Sequence, residues 1–427
     1  MGGVALSFIV SYFYPSIMPI ANALFLTFII LVLLDYLFLF NQRNGISASR
    51  KIAARLSNGD FNPIEITLES NYNFNLNLIL IDEVPFQFQA RTIEFKRKLI
   101  AGEHSNLVYT LRPTKRGVYN FGSIHIYAST MMGLLARRFS FSAEKDVPVY
   151  PSIIQMKKFE FFAISNRLSE LGVKKVRKIG HQFEFEQIRE YVQGDDYRTI
   201  NWKATARRGQ FMVNQFQDEK SQNIYCLIDK GRAMKMPFEN LSLMDYSINA
   251  ALVLSNIAIR KYDKAGIITF AENKVTILPA ERNVSQIEQI AHMLHSQKTR
   301  YLESNYEMLY TQLRRKINQR SLLILFTNFE SLSSMQRNLK YFKSLAKSHV
   351  LVVVFFENTE VKKLLNSPSE DLEQVYVKTI AEKFMYEKRQ IVKELNRHGI
   401  FTLLTAPADL TINTINKYLE LKARGVV

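Results

Sequence analysis

GHQFEFEQIREYVQGDDYRTINWKATARRGQFMVNQFQDEKSQNIYCLID, residues Gly180 to Asp229, is the stretch of this chain richest in residues with specific uses. It contains the only tryptophan, Trp202, the turn sequence Gly194-Asp195-Asp196, and the charged residues Glu186, Arg189, Glu190, Arg198, Arg207 and Arg208. It ends in NIYCLID, Asn223 to Asp229, an apolar run closed by an aspartate. Such a short continuous apolar run reads as a buried strand. The periodicity of the chain changes across this stretch, and the change decides the fold.

Downstream, Ile224–Ile228, Ala265–Phe270, Leu322–Phe326, Val350–Phe356 and Phe401–Leu404 are short apolar runs. Between them lie helical stretches such as Leu243–Arg260, Tyr306–Ile317 and Ala381–Arg397. In the last of these, Phe384, Ile391 and Leu395 share one face among Lys, Arg and Glu. Continuous apolar strands alternating with helices predict a largely parallel sheet covered on both faces, an α/β domain over residues 223–427. Cys226, the single cysteine, sits in the first of these strands and reads as an inert core thiol; no intrachain disulfide is possible.

Upstream the period is two. Ile64, Ile66 and Leu68 alternate with Glu65, Thr67 and Glu69, and Leu76, Leu78 and Leu80 repeat the pattern, as do Leu107, Tyr109 and Leu111. Short alternating strands with regular turns predict an antiparallel, immunoglobulin-like β-sandwich over residues 46–150. Before it, residues 1–41 are almost wholly apolar. Ile20–Phe40 meets the roughly 20 residues that a bilayer-crossing helix needs, whereas Val4–Tyr14 is too short to cross alone. A transmembrane hairpin is therefore expected. Asp35 inside the second span reads as a position near the span's end, facing the other helix or the interface. Arg43, Arg50, Lys51 and Arg55 follow Phe40, while no charge lies between Pro15 and Ala23; the positive-inside rule puts the soluble region in the cytoplasm. Lys157, Lys158, Arg167, Lys174, Lys175, Arg177 and Lys178 make the connector, residues 151–222, basic enough to meet lipid headgroups. A formal net charge of +17 agrees with an anionic membrane surface or an acidic partner.

The order Glu-Phe, Arg-Glu-Tyr, Gly-Asp-Asp, then Arg-x-Ile-x-Trp-x-Ala-x-Ala-Arg resembles a bacterial family known as domain of unknown function 58. The likeness continues through Lys230-Gly231-Arg232-Ala233-Met234. It implies a membrane hairpin, a β domain and a Rossmann-like von Willebrand factor A-like domain. It also implies a MoxR-type AAA+ ATPase as partner, since the genes of the two families often neighbour each other. In the von Willebrand factor A fold the first strand runs into Asp-x-Ser-x-Ser, which binds a divalent ion with a threonine and a further aspartate. Here those positions read Asp229, Gly231 and Ala233, with Asn328 where the aspartate is expected and Thr299 as the matching threonine. Lys230 and Arg232 add positive charge beside them. A degenerate site without Mg²⁺ or another cofactor is expected, because one carboxylate is a poor cage for a dication.

The Gly194-Asp195-Asp196 turn next to Arg198 invites an acid–base reading. The structural alternative is a tight turn locked by ion pairs of Asp195 or Asp196 with Arg198 or Arg207, and anchored by a buried Trp202. His292 and His295, one helical turn apart, have no further ligand nearby and read as a solvated face. Phosphate loops, nucleophile elbows and dinucleotide fingerprints are missing from the sequence. The leading expectation is a non-enzymatic, membrane-anchored adaptor, with Glu186, Arg189, Asp195, Asp196, Arg198, Trp202, Arg207 and Asp229 as its partner-binding candidates. The alternatives are an enzyme with a cryptic site around the Gly-Asp-Asp turn, and a basic nucleic-acid binder using Arg207, Arg208 and Arg314-Arg315-Lys316.

Overall fold

A computed structural model describes residues 2–89, 93–164, 170, 172–173, 184–193, 195, 197–217, 221–239, 241–283, 285–329, 331–366, 368 and 371–426. The chain divides into two compact units, Met1–Tyr150 and Pro151–Val427.

The first unit opens with two apolar helices, α1 (Gly2–Phe13) and α2 (Met18–Phe40), joined by a 3-10 turn at Pro15–Ile17. They form a hairpin in which Phe8 meets Phe25 edge to face, ring centres 5.8 Å apart. The continuous helical stretch Pro15–Phe40, 26 residues, is long and apolar enough to cross a bilayer; α1 alone is not.

A β-sandwich-like domain follows. Its strands are β1 (Ile46–Lys51), β2 (Asn62–Ser70), β3 (Leu76–Asp82), β4 (Ile93–Leu99), β5 (His104–Leu111), β6 (Gly117–Phe121), β7 (Ile124–Ser129), β8 (Ala136–Phe141) and β9 (Lys145–Tyr150). They assemble as β1-β2-β5, as β4-β3-β7-β8, and as β9 beside β6 with a short parallel pairing to Leu56–Ser57. The period-two residues point inward as expected: Ile64, Ile66, Leu68, Leu76, Leu78 and Leu80 are buried. Arg50, read above as a membrane-flanking charge, is instead buried and bonded to the buried Asp82, which also accepts from the Tyr109 hydroxyl. Its guanidinium further donates to the Gly122 carbonyl at 2.9 Å. A cation inside a sandwich needs this set of acceptors, since unpaired buried charge is costly.

The second unit begins with α3 (Ile153–Ile164) and an antiparallel hairpin, β10 (Glu184–Glu190) with β11 (Met212–Gln217), whose connection carries the short helix α4 (Trp202–Arg208). The α/β region then runs β12 (Asn223–Asp229), α5 (Leu243–Arg260), β13 (Lys264–Phe270), β14 (Val275–Glu281), α6 (Ser285–His295), α7 (Tyr306–Lys316), β15 (Leu322–Phe326), α8 (Leu332–Ser348), β16 (Val350–Phe356), α9 (Thr359–Asn366), α10 (Leu372–Arg397), β17 (Phe401–Thr405) and α11 (Leu410–Ala423).

The sheet order is β14-β13-β12-β15-β16-β17, with β14 antiparallel and the other neighbours parallel. Strand direction of travel reverses between β12 and β15, the point where open α/β sheets form a crevice at their carboxyl ends. One face of the sheet, with Tyr225, Leu227, Leu325, Val353 and Phe355, is covered by α7, α8 and α10 through residues such as Leu309, Phe342 and Leu395. The α5 helix is buried nearly all round, including its polar Ser247, Asn249 and Ser255; Ser152, just before α3, reaches it, its amide donating to Asn249 at 2.9 Å. The edge strand β14 carries a bulge opposite Ala265–Ile267, and the Gln286 amide spans it, donating to the Ala265 carbonyl at 2.9 Å and the Pro279 carbonyl at 2.7 Å.

Candidate functional site

Two places in the second unit gather the residues singled out in the sequence. The first is the carboxyl edge of the sheet. Asp229 ends β12 with only 3% of its surface exposed. Its Oδ1 accepts the Gly231 amide at 2.7 Å and the Ser304 hydroxyl. Its Oδ2 accepts the Thr327 hydroxyl at 2.6 Å and the Tyr306 hydroxyl at 2.9 Å. A carboxylate removed from water keeps its charge cheaply only when its lone pairs are met, and these four donors meet them. Burial, with the Asp229 charge beside it, raises the Tyr306 phenol well above its ordinary value, so it stays a donor.

Gly231 is required here by space. A Cβ at that position would lie 2.6 Å from Ser304 Oγ and 3.1 Å from Asp229 Oδ1. The Asp-x-Gly sequence therefore lets the 304 loop close on the carboxylate. The hydroxyls that do so are Ser304, Tyr306 and Thr327, which corrects the expectation that Thr299 supplies this function. Asn328 turns elsewhere: its Oδ1 accepts from Lys388 Nζ, which also donates to the Phe329 carbonyl at 2.6 Å. Lys230 is also redirected. It is buried and donates to Gln297 at 3.0 Å, and desolvation, reinforced by Arg300 and Lys274, lowers its pKa. Arg232 does line the crevice.

Above Asp229 this crevice holds only about 50 Å³, between Gly231, Ala233, Ser304 and Asn328. Among the described residues no three His, Cys, Asp or Glu side chains converge as a metal site. A dication would have to displace the donors already on both Asp229 oxygens, so the residues present do not fit one. Next to the crevice, sharing Asn328 and Phe329, is a larger cleft of about 290 Å³ walled by Phe238, Phe356, Phe384 and Arg389. Cys226, three residues before Asp229 on β12, is inert: burial pushes its thiol up to about 12.

The second place is the hairpin of the sequence signature. Asp195 is held by Arg189, Nη2 to Oδ1 2.6 Å, and by the Val192 amide at 3.0 Å. The hydrogen bond from Arg189, with the Val192 amide, holds the Asp195 carboxyl below the usual range. Its partner is thus Arg189, across the turn, and not Arg198 or Arg207. Arg198 stacks over the ring of Tyr197, 5.7 Å from its centre. Gly194 and Asp196 lie outside the described residues, as do Arg167, Lys174, Lys175, Arg177 and Lys178 of the basic connector; Glu186 falls within β10.

Trp202 is the main correction. It is 67% exposed, at the first turn of α4, and touches Phe211 edge to face at 6.4 Å. Phe211 itself is exposed and meets Tyr191 at 6.4 Å. Helix α4 is set by Asn201, whose side chain accepts the Ala204 amide at 3.0 Å, and by Gly209 in the left-handed region at φ 72°. This short helix is held to the hairpin by the Asn201 amide on the Met212 carbonyl at 2.8 Å and the Met212 amide on the Thr205 hydroxyl at 3.0 Å, and the indole is left outward. The hairpin thus shows Tyr191, Tyr197, Trp202 and Phe211 to solvent, beside Arg198, Arg207 and Arg208.

The family model described as Protein of unknown function DUF58 matches residues 187–375, from within β10 to the start of α10. The "Uncharacterized protein YeaD" of Bacillus subtilis (strain 168) is 25% identical over 222 residues, which are 48% of this chain and 53% of that protein. The chain spans about half the length of this curated relative. Both matches support the family that the signature resembles.

Among solved structures, the CARDB domain of the PF1109 protein from Pyrococcus furiosus is 13% identical, covering 24% of this chain and 91% of that chain at a TM-score of 0.20. Proximal thread matrix protein 1 from the mussel byssus is 12% identical, covering 46% of each chain at a TM-score of 0.26. At these scores neither likeness bears on the site.

Proposed function

We propose that this chain is a non-enzymatic adaptor anchored in the bacterial inner membrane, with its soluble units in the cytoplasm. Its partner is a protein, a MoxR-type AAA+ ATPase of the assembly or chaperone kind, and the signature hairpin is where that partner docks. The observation that carries this reading is the outward position of Trp202, Tyr197 and Phe211 beside arginines. Tryptophan, tyrosine and arginine dominate the energetics of protein interfaces, and exposed apolar rings have a solvation cost that a partner removes. The two carboxylates that could serve an enzyme are both engaged, Asp195 by Arg189 and Asp229 by hydroxyls.

The α/β region is read as von Willebrand factor A-like, with its ion replaced by the Ser304, Tyr306 and Thr327 hydroxyls. Strand order and the crevice at the carboxyl edge support that reading. The apolar length of Pro15–Phe40 supports the anchor, and Arg43, Lys51 and Arg55 after it support the orientation.

Because Trp202 is the only tryptophan, the emission of the whole chain reports this surface. Adding the purified ATPase to the detergent-solubilised protein should shift the emission to the blue and shield it from iodide. Trp202→Ala should abolish capture of the ATPase from solubilised membranes. Unchanged emission at saturating ATPase would sink the proposal. Aromatic rings beside Arg207 and Arg208 also suit single-stranded nucleic acid, which stacks on such rings. Quenching by an oligonucleotide, weakened steeply by salt and seen without any ATPase effect, would put that second reading first.

A further inference from the structure

Asp35 sits five residues before the end of α2, about 7.5 Å along a helix axis, and is fully buried. The groups that bury it come from the β domain. The Thr130 hydroxyl donates to Oδ1, and the Leu135 amide donates to Oδ2 at 2.9 Å. Asp35 is thus near the end of the span, as expected, and its hydrogen-bond partners are on the β domain and not on the other helix. Nearby, Arg137 caps the end of the same helix, donating to the carbonyls of Leu39 at 2.7 Å, Gln42 at 2.6 Å and Arg43 at 3.1 Å. Its guanidinium lies 4.9 Å from the centre of the Phe40 ring. The β7–β8 loop is thereby fixed to the helix at the level of Asp35.

Around that level α2 presents bare apolar side chains: Leu34, Leu37 and Phe38 are all exposed. A loop bonded to Asp35 shares their depth. Its own outward side chains are apolar too, with Met131 77% and Met132 54% exposed and Leu134 beside them. Its backbone suits such a place. The Met132 amide donates to Thr130 Oγ1 at 3.2 Å and the Gly133 amide to the Thr130 carbonyl at 3.2 Å. Gly133, at φ 64°, provides the left-handed turn. Tyr36, at the same end, is an amphipathic aromatic of the kind favoured at a bilayer interface.

We infer that the Thr130–Leu135 loop is a second membrane contact, inserting Met131, Met132 and Leu134 at the boundary of headgroups and acyl chains. The occupant of this surface is phospholipid. An apolar wedge held at interfacial depth gains from burial there, as amphipathic surface segments do. Full insertion into hydrocarbon is disfavoured for an irregular loop, so the contact stops at the interface.

The inference rests on the reading of Pro15–Phe40 as a membrane span, and the test separates the two. The full-length protein carrying Met131→Cys or Met132→Cys is labelled with an environment-sensitive fluorophore and reconstituted into vesicles of phosphatidylethanolamine and phosphatidylglycerol. The native Cys226 is buried and does not compete. Nitroxide lipids bearing the spin label near the headgroup should quench both labels several-fold more than a label at Val118, an exposed position on β6. A label at Leu26, mid-helix, should be quenched by nitroxides at the acyl-chain ends. If Leu26 is quenched while the labels at 131 and 132 behave like the one at 118, the wedge is overturned and the anchor stands. If Leu26 and the two loop positions all escape quenching, anchor and wedge fall together.

Discussion

Asp229 and Trp202 belong to the same fifty-residue stretch, yet the fold uses them in opposite ways. Asp229, a charged group, is interior and has four protein donors. Trp202, a large apolar group, is exterior and meets the ring of Phe211 on its hairpin. The contrast teaches that burial follows the partners an element brings. Strand β12 delivers Asp229 to the hydroxyls of Ser304 just before α7, Tyr306 at the start of α7 and Thr327 after β15. Helix α4, seven residues long on a two-stranded hairpin, leaves the indole uncovered among the described residues.

The contrast can be broken first at Asp229. Asp229→Ala takes the acceptor from four donors; Tyr306 and Thr327 keep their mutual hydrogen bond at 2.7 Å, while the Gly231 amide and the half-buried Ser304 hydroxyl lose their partner. Each buried unsatisfied donor costs about 1–3 kcal/mol, so a loss of about 3–5 kcal/mol after relaxation is expected from denaturant unfolding of the α/β unit. A loss under 1 kcal/mol would mean that water reaches the site.

Next in size is Gly231→Ser, which on the proposed von Willebrand factor A-like reading puts a serine where the Asp-x-Ser-x-Ser pattern has one. Its side chain collides with Ser304, and overpacking of this kind costs about 1–3 kcal/mol. The same experiment sharpens the metal question. Millimolar Mg²⁺ should leave the Tm of the parent unchanged, whereas a hundredfold excess over a real Kd would add about 2.7 kcal/mol.

Trp202→Ala lies at the other end. Deleting a buried aromatic would cost about 3–5 kcal/mol, but for this exposed ring a change within about 0.5 kcal/mol is expected, together with loss of partner binding. A large destabilisation would restore the view of Trp202 as a packing anchor.

The smallest effect concerns Asp195. Its folded pKa is depressed, first by the hydrogen bond from Arg189. Such a group contributes stability above its unfolded value, near 3.9, and loses it as pH falls through the lower folded value. Arg189→Gln should move the Asp195 carboxyl titration, followed by NMR, upward towards the ordinary aspartate range. Stability near neutral pH should scarcely respond, since exposed pairs are screened. An unmoved titration would show that the Val192 amide alone holds the carboxylate.

Much of the α/β region is legible in the sequence because its strands are buried on both faces. Ile224–Ile228, Leu322–Phe326 and Val350–Phe356 coincide with β12, β15 and β16 to within a residue, and Leu243–Arg260 is α5. The sandwich strands are legible for the complementary reason, strict alternation. The hairpin β10–β11 is not, because its strands, EFEQIRE and MVNQFQ, have neither a long apolar run nor strict alternation, although Met212 and Val213 are buried. Nor are the partners of Asp229: Ser304 just before α7, Tyr306 at its start, and Thr327 after β15 are 75, 77 and 98 residues away, and no local pattern marks a hydroxyl as facing a distant carboxylate. Arg50 shows the same limit, since a basic residue after a membrane span looks alike whether it faces headgroups or Asp82.

The bulged strand β14 has a consequence for how this protein survives crowding. An edge strand offers a row of free peptide groups on which another chain can polymerise. Here the end of that row is disabled. Pro279 has no N–H to offer, its carbonyl and that of Ala265 are taken by Gln286, and the Ala280 amide is turned inward to the Tyr225 hydroxyl at 3.3 Å. A strand approaching along β14 runs out of ladder after a few residues, so a partner that grips this protein by β-augmentation has to look elsewhere, and so does amyloid.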